Sequence, residues 1–263
     1  MDVGVYPLTS PHGAKVEVLG NERRATLLQR GYVAEPTPPL PVPQRAQGVI
    51  SASVAVAPWD ERRVQNASKY DIPNLVMVAD NEREGCWPTV RRAWEQAEGT
   101  HHLVLTDDLQ LARGFWDALN QAVSLFPESP MSLFTVARGA KLAVEKGSHW
   151  CVSWGFTGAA NLLPTYMIDD FLGWQHNVKE CPHDDARLTL WARATGIGVL
   201  TPVPCLVEHG MYPSLIEDSP LYGREHSKAS AFQDDVTGVD WTKGANDPAF
   251  IGLSLENPDK WLK

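Results

Sequence analysis

Three short apolar runs do most to set the fold of this chain. Val49–Ala57 (VISASVAVA), Asn74–Ala79 (NLVMVA) and His102–Thr106 (HLVLT) each have the length of a buried strand. Each also stops at a strand-ending residue: Pro58, Asp80 and the pair Asp107–Asp108. Between them lie helix-compatible stretches, including Thr89–Ala97, whose Val90, Ala93, Trp94 and Ala97 share one face. An amphipathic pattern over Leu111–Phe126 and a fourth apolar run, Met131–Val136 (MSLFTV), continue the alternation. Such alternation predicts an α/β fold with a mostly parallel sheet flanked by helices on both faces. Ligands bind such sheets beyond the carboxyl ends of the strands, so Pro58, Asp80 and Asp107–Asp108 are expected to border one crevice.

The N-terminal part is set apart by residues 35–44, EPTPPLPVPQ, whose five prolines favour extended backbone and remove donors. We read residues 35–47 as a linker. Before it, residues 1–34 hold one strand, Lys15–Leu19, and one helix, Glu22–Arg30, between Asn21 as N-cap and Gly31 as C-cap. So short a unit buries little core of its own, which suits a docking element for the main domain, another subunit or a larger assembly. Residues 48–215 form the main domain. Its second half holds a Trp- and Gly-rich stretch, Trp150–Ala160, then helices over Pro164–Trp174 and Ala186–Ala194, and a short strand ending at His209. Residues 216–263 show little periodicity and read as an irregular tail or a flap over a site.

The composition narrows the chemistry. A net charge of −9 argues against a broadly basic nucleic-acid surface, although a local groove would escape that argument. An acidic protein acting on anionic substrates needs a metal ion or clustered arginines where the charge arrives. Cys86, Cys151, Cys181 and Cys205 make no CxxC pair and no zinc spacing, as expected of unpaired thiols in a reducing cytoplasm. No apolar run reaches membrane-spanning length, and MDVGVYPLTSPHG has no signal-peptide pattern. There is likewise no GxSxG, P-loop, GxGxxG after a strand or HExxH.

Each remaining candidate has two readings. Asp107–Asp108 suits an N-cap for the following helix, or a pair of hard oxygen ligands that leave room for a diphosphate. Asp184–Asp185 suits capping of Ala186–Ala194, or a general base at the crevice mouth. His209 suits a hydrogen-bonded strand end, or an imidazole completing a metal shell. The loop Trp154-Gly155-Phe156-Thr157-Gly158 suits tight core turns, or a sugar platform. Arg91 and Arg92 suit phosphate neutralisation or a solvated helix face, and Trp87 suits packing.

The order of these landmarks resembles the GT-A glycosyltransferases. In that family a DxD-type metal motif, a glycine-containing loop, an xED motif and a C-terminal histidine follow in sequence. Here they read LVLTDD, WGFTG, Asp184–Asp185 and LVEHG, over roughly residues 48–215. The compact form resembles the small glycosyltransferases encoded by bacteriophages. The resemblance implies a GT-A-like, Rossmann-like catalytic domain with a small N-terminal appendage. It places Pro58 and Asp80 in the nucleotide pocket and Asp107 beside the donor diphosphate, where the charge of Arg91 makes it a further donor-binding candidate. Gly155 and Gly158 fall in the loop beside the donor sugar, and Asp185, with Asp184, takes the base position. Asp108 and His209 would hold Mn²⁺ or Mg²⁺ against the diphosphate. Leu109 stands at the second acidic position of a strict DxD, so coordination rests mainly on Asp108.

The implied activity is transfer of a hexosyl or pentosyl group from a UDP- or GDP-sugar to an acceptor hydroxyl, with inversion. The acceptor would be modified phage DNA, a virion protein or a glycan, and the setting the host cytoplasm. A non-catalytic carbohydrate-binding or virion-associated module on the same scaffold is the alternative, and the ten tryptophans suit it. A metal-dependent nucleotidyltransferase is a third reading.

Overall fold

A computed structural model describes residues 49–136, 139–216, 223 and 228–250, and the backbone of three strands nearer the N-terminus. The chain divides into two compact units, Met1–Ala46 and Gln47–Lys263. In the first, β1 (Val5–Thr9), β2 (Lys15–Leu19) and β3 (Val33–Ala34) form an antiparallel sheet in the order β2-β1-β3. The expected strand Lys15–Leu19 is therefore one of three among the described residues of this unit. The expected helix Glu22–Arg30, its caps Asn21 and Gly31, and the linker 35–47 lie outside the described residues.

In the second unit, β4 (Ile50–Val56), β5 (Val76–Ala79) and β6 (His101–Thr106) match the three apolar runs. They pair in parallel with β4 in the middle. The helix α1 (Glu61–Ala67) joins β4 to β5, and α2 (Cys86–Trp94) joins β5 to β6. The helix expected over Thr89–Ala97 thus begins and ends three residues earlier. His102 is fully buried in β6, where Ser51 Oγ lies 2.7 Å from its Nδ1 and the Ala93 carbonyl 2.8 Å from its Nε2. Burial pushes this imidazole down to about 4, so it stays neutral and ties the sheet to α2.

Beyond β6 the expectation needs correction. The chain does not enter a helix at Leu111: β7 (Leu109–Leu111) comes first, and α3 (Phe115–Leu125) starts only after Gly114. Gly114 has a left-handed φ of 82°, and a Cβ there would meet Thr237 at 2.8 Å. The fourth expected strand shortens to β8 (Met131–Ser132). After α4 (Gly139–Glu145), the expected Trp-Gly stretch opens as β9 (Trp150–Ser153) and continues as a loop. It runs into β10 (Ala160–Pro164), a strand that the sequence pattern did not reveal. A 3₁₀ turn, Thr165–Met167, leads into α5 (Ile168–Trp174), and α6 (Asp184–Thr195) precedes β11 (Val199–Pro202) and β12 (Val207–His209).

The main sheet has eight strands in the order β13-β9-β11-β8-β10-β6-β4-β5, where β13 is Ala249–Phe250. It is mixed: β10 runs antiparallel to both β6 and β8, and β9 antiparallel to β11, while the other neighbours are parallel. One face is covered by a core including Ala67 of α1 and Phe115, Leu119 and Val123 of α3. The other is covered by Val90 and Trp94 of α2, Phe171 of α5, and Leu188 and Trp191 of α6. Truncating any one of these aromatic side chains to alanine costs about 3–5 kcal/mol in such cores. Trp94, Trp150, Trp191 and Trp241 are all fully buried, so four of the ten tryptophans serve packing rather than a sugar surface.

Described residues after 215 also belong to the domain. Val236 and Trp241 are in the principal core, and β13 extends the sheet. The four cysteines are unpaired, three of them buried. Among the described residues, no helix is long and apolar enough to cross a membrane.

Candidate functional site

The strands β4, β5 and β6 end on the same edge of the sheet, and β6 ends at Asp107–Asp108. Because β7 follows at once, the pair does not cap a helix. Instead β7 pairs with β12 in a register that sets His209 opposite Leu109. The Gly210 N–H donates to the Asp108 carbonyl oxygen (2.6 Å), closing this two-stranded patch. A Cβ on Gly210 would stand 2.7 Å from the Tyr212 ring and 2.9 Å from that carbonyl, so the turn requires glycine. LVLTDD and LVEHG, remote in sequence, are thus joined by strand pairing.

Both aspartates are buried, with 3% and 4% of their surface exposed. Carboxylates this deep require partners. Asp107 Oδ2 accepts from the Ala57 N–H at 2.7 Å, just past the end of β4. Asp107 Oδ1 accepts from Arg63 Nη1 at 2.7 Å, and the same Nη1 lies 3.3 Å from Asp108 Oδ2. The Thr106 hydroxyl donates to Asp108 Oδ1 at 2.7 Å, and His209 Nδ1 stands 3.7 Å from Asp108 Oδ2. The His209 ring is steadied edge-to-face by Phe134 at 4.9 Å.

The helix α1 and the turn after it supply the other supports. Arg63 Nη2 donates to the Pro213 carbonyl at 2.6 Å. Asn66 Nδ2 donates to the carbonyls of Asp107 and Leu109, at 3.0 and 2.8 Å. The Tyr70 hydroxyl donates to the Thr106 carbonyl (3.0 Å) and accepts from the Leu109 N–H (2.8 Å).

The electrostatics separate the two aspartates. For Asp108, burial works to raise the pKa, but His209, Arg63 and Thr106 outweigh it and hold the group well below the usual carboxylate range. For Asp107, burial outweighs Arg63 and leaves the group above its ordinary value. Burial also works against the Arg63 charge, yet the two aspartates more than compensate. Asp108 is therefore the more firmly ionised member.

The second acidic pair lies in the first turn of α6, after His183 as N-cap. Asp185 Oδ2 accepts from the Gly158 N–H at 3.3 Å, and its Oδ1 from the Ala186 N–H at 2.8 Å. The loop that carries Gly158 is pinned by the Thr157 hydroxyl on the Phe134 carbonyl (2.6 Å) and by the Phe156 N–H on Thr189 Oγ1 (2.9 Å). Asp184 Oδ1 accepts from Cys86 Sγ at 3.9 Å. Burial, and then the charge of Asp185, push Asp184 up to about 7. Burial also raises the Cys86 thiol at the start of α2, and the neighbouring charges of Asp184 and Asp185 add to it.

Of the other expected residues, Pro58 and Asp80 follow the ends of β4 and β5 on this same edge, whereas Arg91 lies elsewhere. Pro58 is exposed just past β4. Asp80 is buried, and its two oxygens accept from the Glu84 and Gly85 N–H groups at 2.8 and 3.0 Å, shaping the turn into α2. Gly155 is buried in the loop and bonds with Ser153 Oγ. Arg91 lies outside the carboxylate cluster. It pairs with Glu95 on the exposed face of α2 and lines a separate cavity of about 700 Å³ with Trp87 and Arg187. Trp87 packs 4.5 Å beneath the Arg187 guanidinium, a packing role as expected.

Sequence reading missed Arg63, Asn66, Tyr70 and Cys86. Nothing local separates Arg63 from its exposed neighbour Arg62. Only the fold turns one of them inward.

Asp108 and His209 offer one carboxylate oxygen and one imidazole nitrogen side by side. That donor set suits the protein's share of a hard divalent ion whose remaining positions are filled by phosphate and water. Among the described residues, no three His, Cys, Asp or Glu side chains gather into a complete metal site.

No protein-family model matches the chain, and no curated protein matches it in sequence.

Proposed function

We propose that the protein is a glycosyltransferase of the GT-A type, which moves a sugar from a nucleoside-diphosphate donor to an acceptor hydroxyl. One observation carries this reading. His209 meets the buried pair Asp107–Asp108 at the end of β6, and the Asp184–Asp185 pair reaches the same edge through Cys86 after β5 and through the glycine loop, whose Ala159 carbonyl accepts from the Thr106 N–H at 3.0 Å. That edge is where an α/β sheet binds its ligand.

In this mechanism the acceptor oxygen attacks the anomeric carbon as the bond from that carbon to the diphosphate oxygen breaks. The acceptor proton passes to the Asp185 carboxylate, and the nucleoside diphosphate leaves with the bonding pair. Direct displacement inverts the anomeric centre. Asp185 is oriented for this by two backbone N–H groups, those of Gly158 and Ala186. The proton that Asp184 retains up to about pH 7 limits repulsion across the pair. Asp108 and His209 would hold Mn²⁺ or Mg²⁺, which supplies positive charge against the leaving diphosphate. Arg63, Thr106, Asn66 and Tyr70 hold the strand end that presents Asp108.

The test is calorimetric titration with UDP- and GDP-sugars in the presence of Mn²⁺, followed by intact-mass analysis of candidate DNA, protein and glycan acceptors. Saturable binding of one donor and a sugar-sized mass gain on one acceptor are expected. Binding of free sugar with no nucleotide binding favours the carbohydrate-binding module instead. Pyrophosphate release from a nucleoside triphosphate favours a nucleotidyltransferase.

A further inference from the structure

Arg63 has no part in the transfer step, yet it is 5% exposed and lies at the centre of the acidic cluster. Its Nη1 is within 3.3 Å of a carboxylate oxygen from each aspartate, and its Nη2 is committed to Pro213. Its Nε is buried and has no hydrogen-bond partner. A buried donor left unsatisfied is unfavourable, so the position is set by the charge pairing rather than by a complete hydrogen-bond set.

The carboxylate oxygens are correspondingly engaged. Asp107 Oδ1 and Oδ2 face Arg63 and the Ala57 N–H, and Asp108 Oδ1 faces the Thr106 hydroxyl. The remaining oxygen, Asp108 Oδ2, lies between Arg63 and His209. A divalent ion on that oxygen would stand against a guanidinium already in place, in a buried setting where like charges repel strongly. A diphosphate changes this balance by bringing at least two negative charges of its own.

We infer that Arg63 is the built-in counter-ion of Asp107–Asp108, and that it keeps a bare divalent cation out of the site until a diphosphate arrives. The role of the diphosphate rests on the transferase reading, whereas the exclusion of the bare ion does not.

Free Mn²⁺ measured by electron paramagnetic resonance, with no turnover required, tests the inference. Wild-type protein should leave the Mn²⁺ signal nearly undiminished at concentrations where Arg63→Met binds one ion at least tenfold more tightly. Asp108→Asn in the Arg63→Met background should abolish the gained ion. Arg63→Lys keeps the charge and should behave as wild type. Addition of UDP or GDP should make the wild-type protein take up Mn²⁺.

Stoichiometric, tight Mn²⁺ binding by the wild-type protein alone overturns the inference, and that result stands even if Arg63→Met does not fold. A folded Arg63→Met protein with no gain also overturns it. If Arg63→Met gains the ion but neither nucleotide brings Mn²⁺ to the wild type, the counter-ion role stands and the diphosphate site fails.

Discussion

His209 Nδ1 lies 3.7 Å from Asp108 Oδ2, placed there by the register that sets His209 opposite Leu109. The strand pair β7–β12 is therefore the frame of the site, and the turn after it is tightly packed at Gly210. Gly210→Ala would force a Cβ to within 2.7 Å of the Tyr212 ring and 2.9 Å of the Asp108 carbonyl. Overpacking of this kind costs about 1–3 kcal/mol. Urea denaturation should show that loss, together with weakened donor binding. Unchanged stability would show that the turn relaxes freely.

Tyr70 supports the link between β6 and β7. Tyr70→Phe removes both the donor to the Thr106 carbonyl and the acceptor for the Leu109 N–H. A loss of about 1–3 kcal/mol follows for groups left unsatisfied in a partly buried place. The expected signature is a lower urea midpoint, and faster hydrogen exchange at the Leu109 amide than at amides in the middle of β6.

Asp184 gives the protein a pH signature. An isolated aspartate titrates near 3.8, and burial with the neighbouring charge moves Asp184 up to about 7. Between those values the folded chain keeps a proton that the unfolded chain releases. Stability contributed by this group is then full at low pH and declines as pH rises from about 4 to about 7. Asp184→Asn removes the titration, so the variant should be more stable than wild type at pH 8 and less so, or equal, at pH 4. Urea midpoints across that range read the difference. Parallel curves for the two proteins would contradict the account.

Asp185 separates chemistry from binding. Asp185→Asn keeps an oxygen for one of the two N–H donors but loses the base, so turnover should fall by about 10²–10⁴-fold. Donor affinity should change little, because the Asp185 carboxylate bonds to the Gly158 and Ala186 N–H groups rather than to the Asp108 cluster. Equal losses in binding and turnover would assign Asp185 to donor binding instead.

Much of the fold was legible because it is written in strand ends. VISASVAVA, NLVMVA and HLVLT stop at Pro58, Asp80 and Asp107, and the structure stops β4, β5 and β6 within two residues of each. The short strand ending at His209 was legible for the same reason. What escaped was set by partners distant in sequence. Leu111 opens the helical pattern in the sequence, yet it is the last residue of a strand, Leu109–Leu111, paired with β12. Ala160–Pro164 contains Asn161 and a proline and follows a glycine loop, yet its position between β6 and β8 buries all five residues. Val236 and Trp241 sit in a stretch without periodicity, and their burial depends on the surfaces they meet.

The site divides along the same line. Asp107, Asp108, Asp185 and His209 stand out because charged or polar groups at strand and helix ends are conspicuous in a sequence. Arg63 does not, because ERRVQN offers two adjacent arginines with no local difference. The burial of one and the 70% exposure of the other's side chain come from how α1 lies over the end of β6.

The central claim is that the carboxylate cluster at the ends of β4–β6 handles a sugar nucleotide. A ³¹P NMR time course with a panel of UDP- and GDP-sugars, Mn²⁺ and a mixed acceptor pool tests it most directly. The account predicts the appearance of free UDP or GDP from one donor, with loss of that signal in Asp185→Asn and in Asp108→Asn. Donor signals that stay unchanged for every sugar nucleotide, in protein shown to be folded, would contradict it.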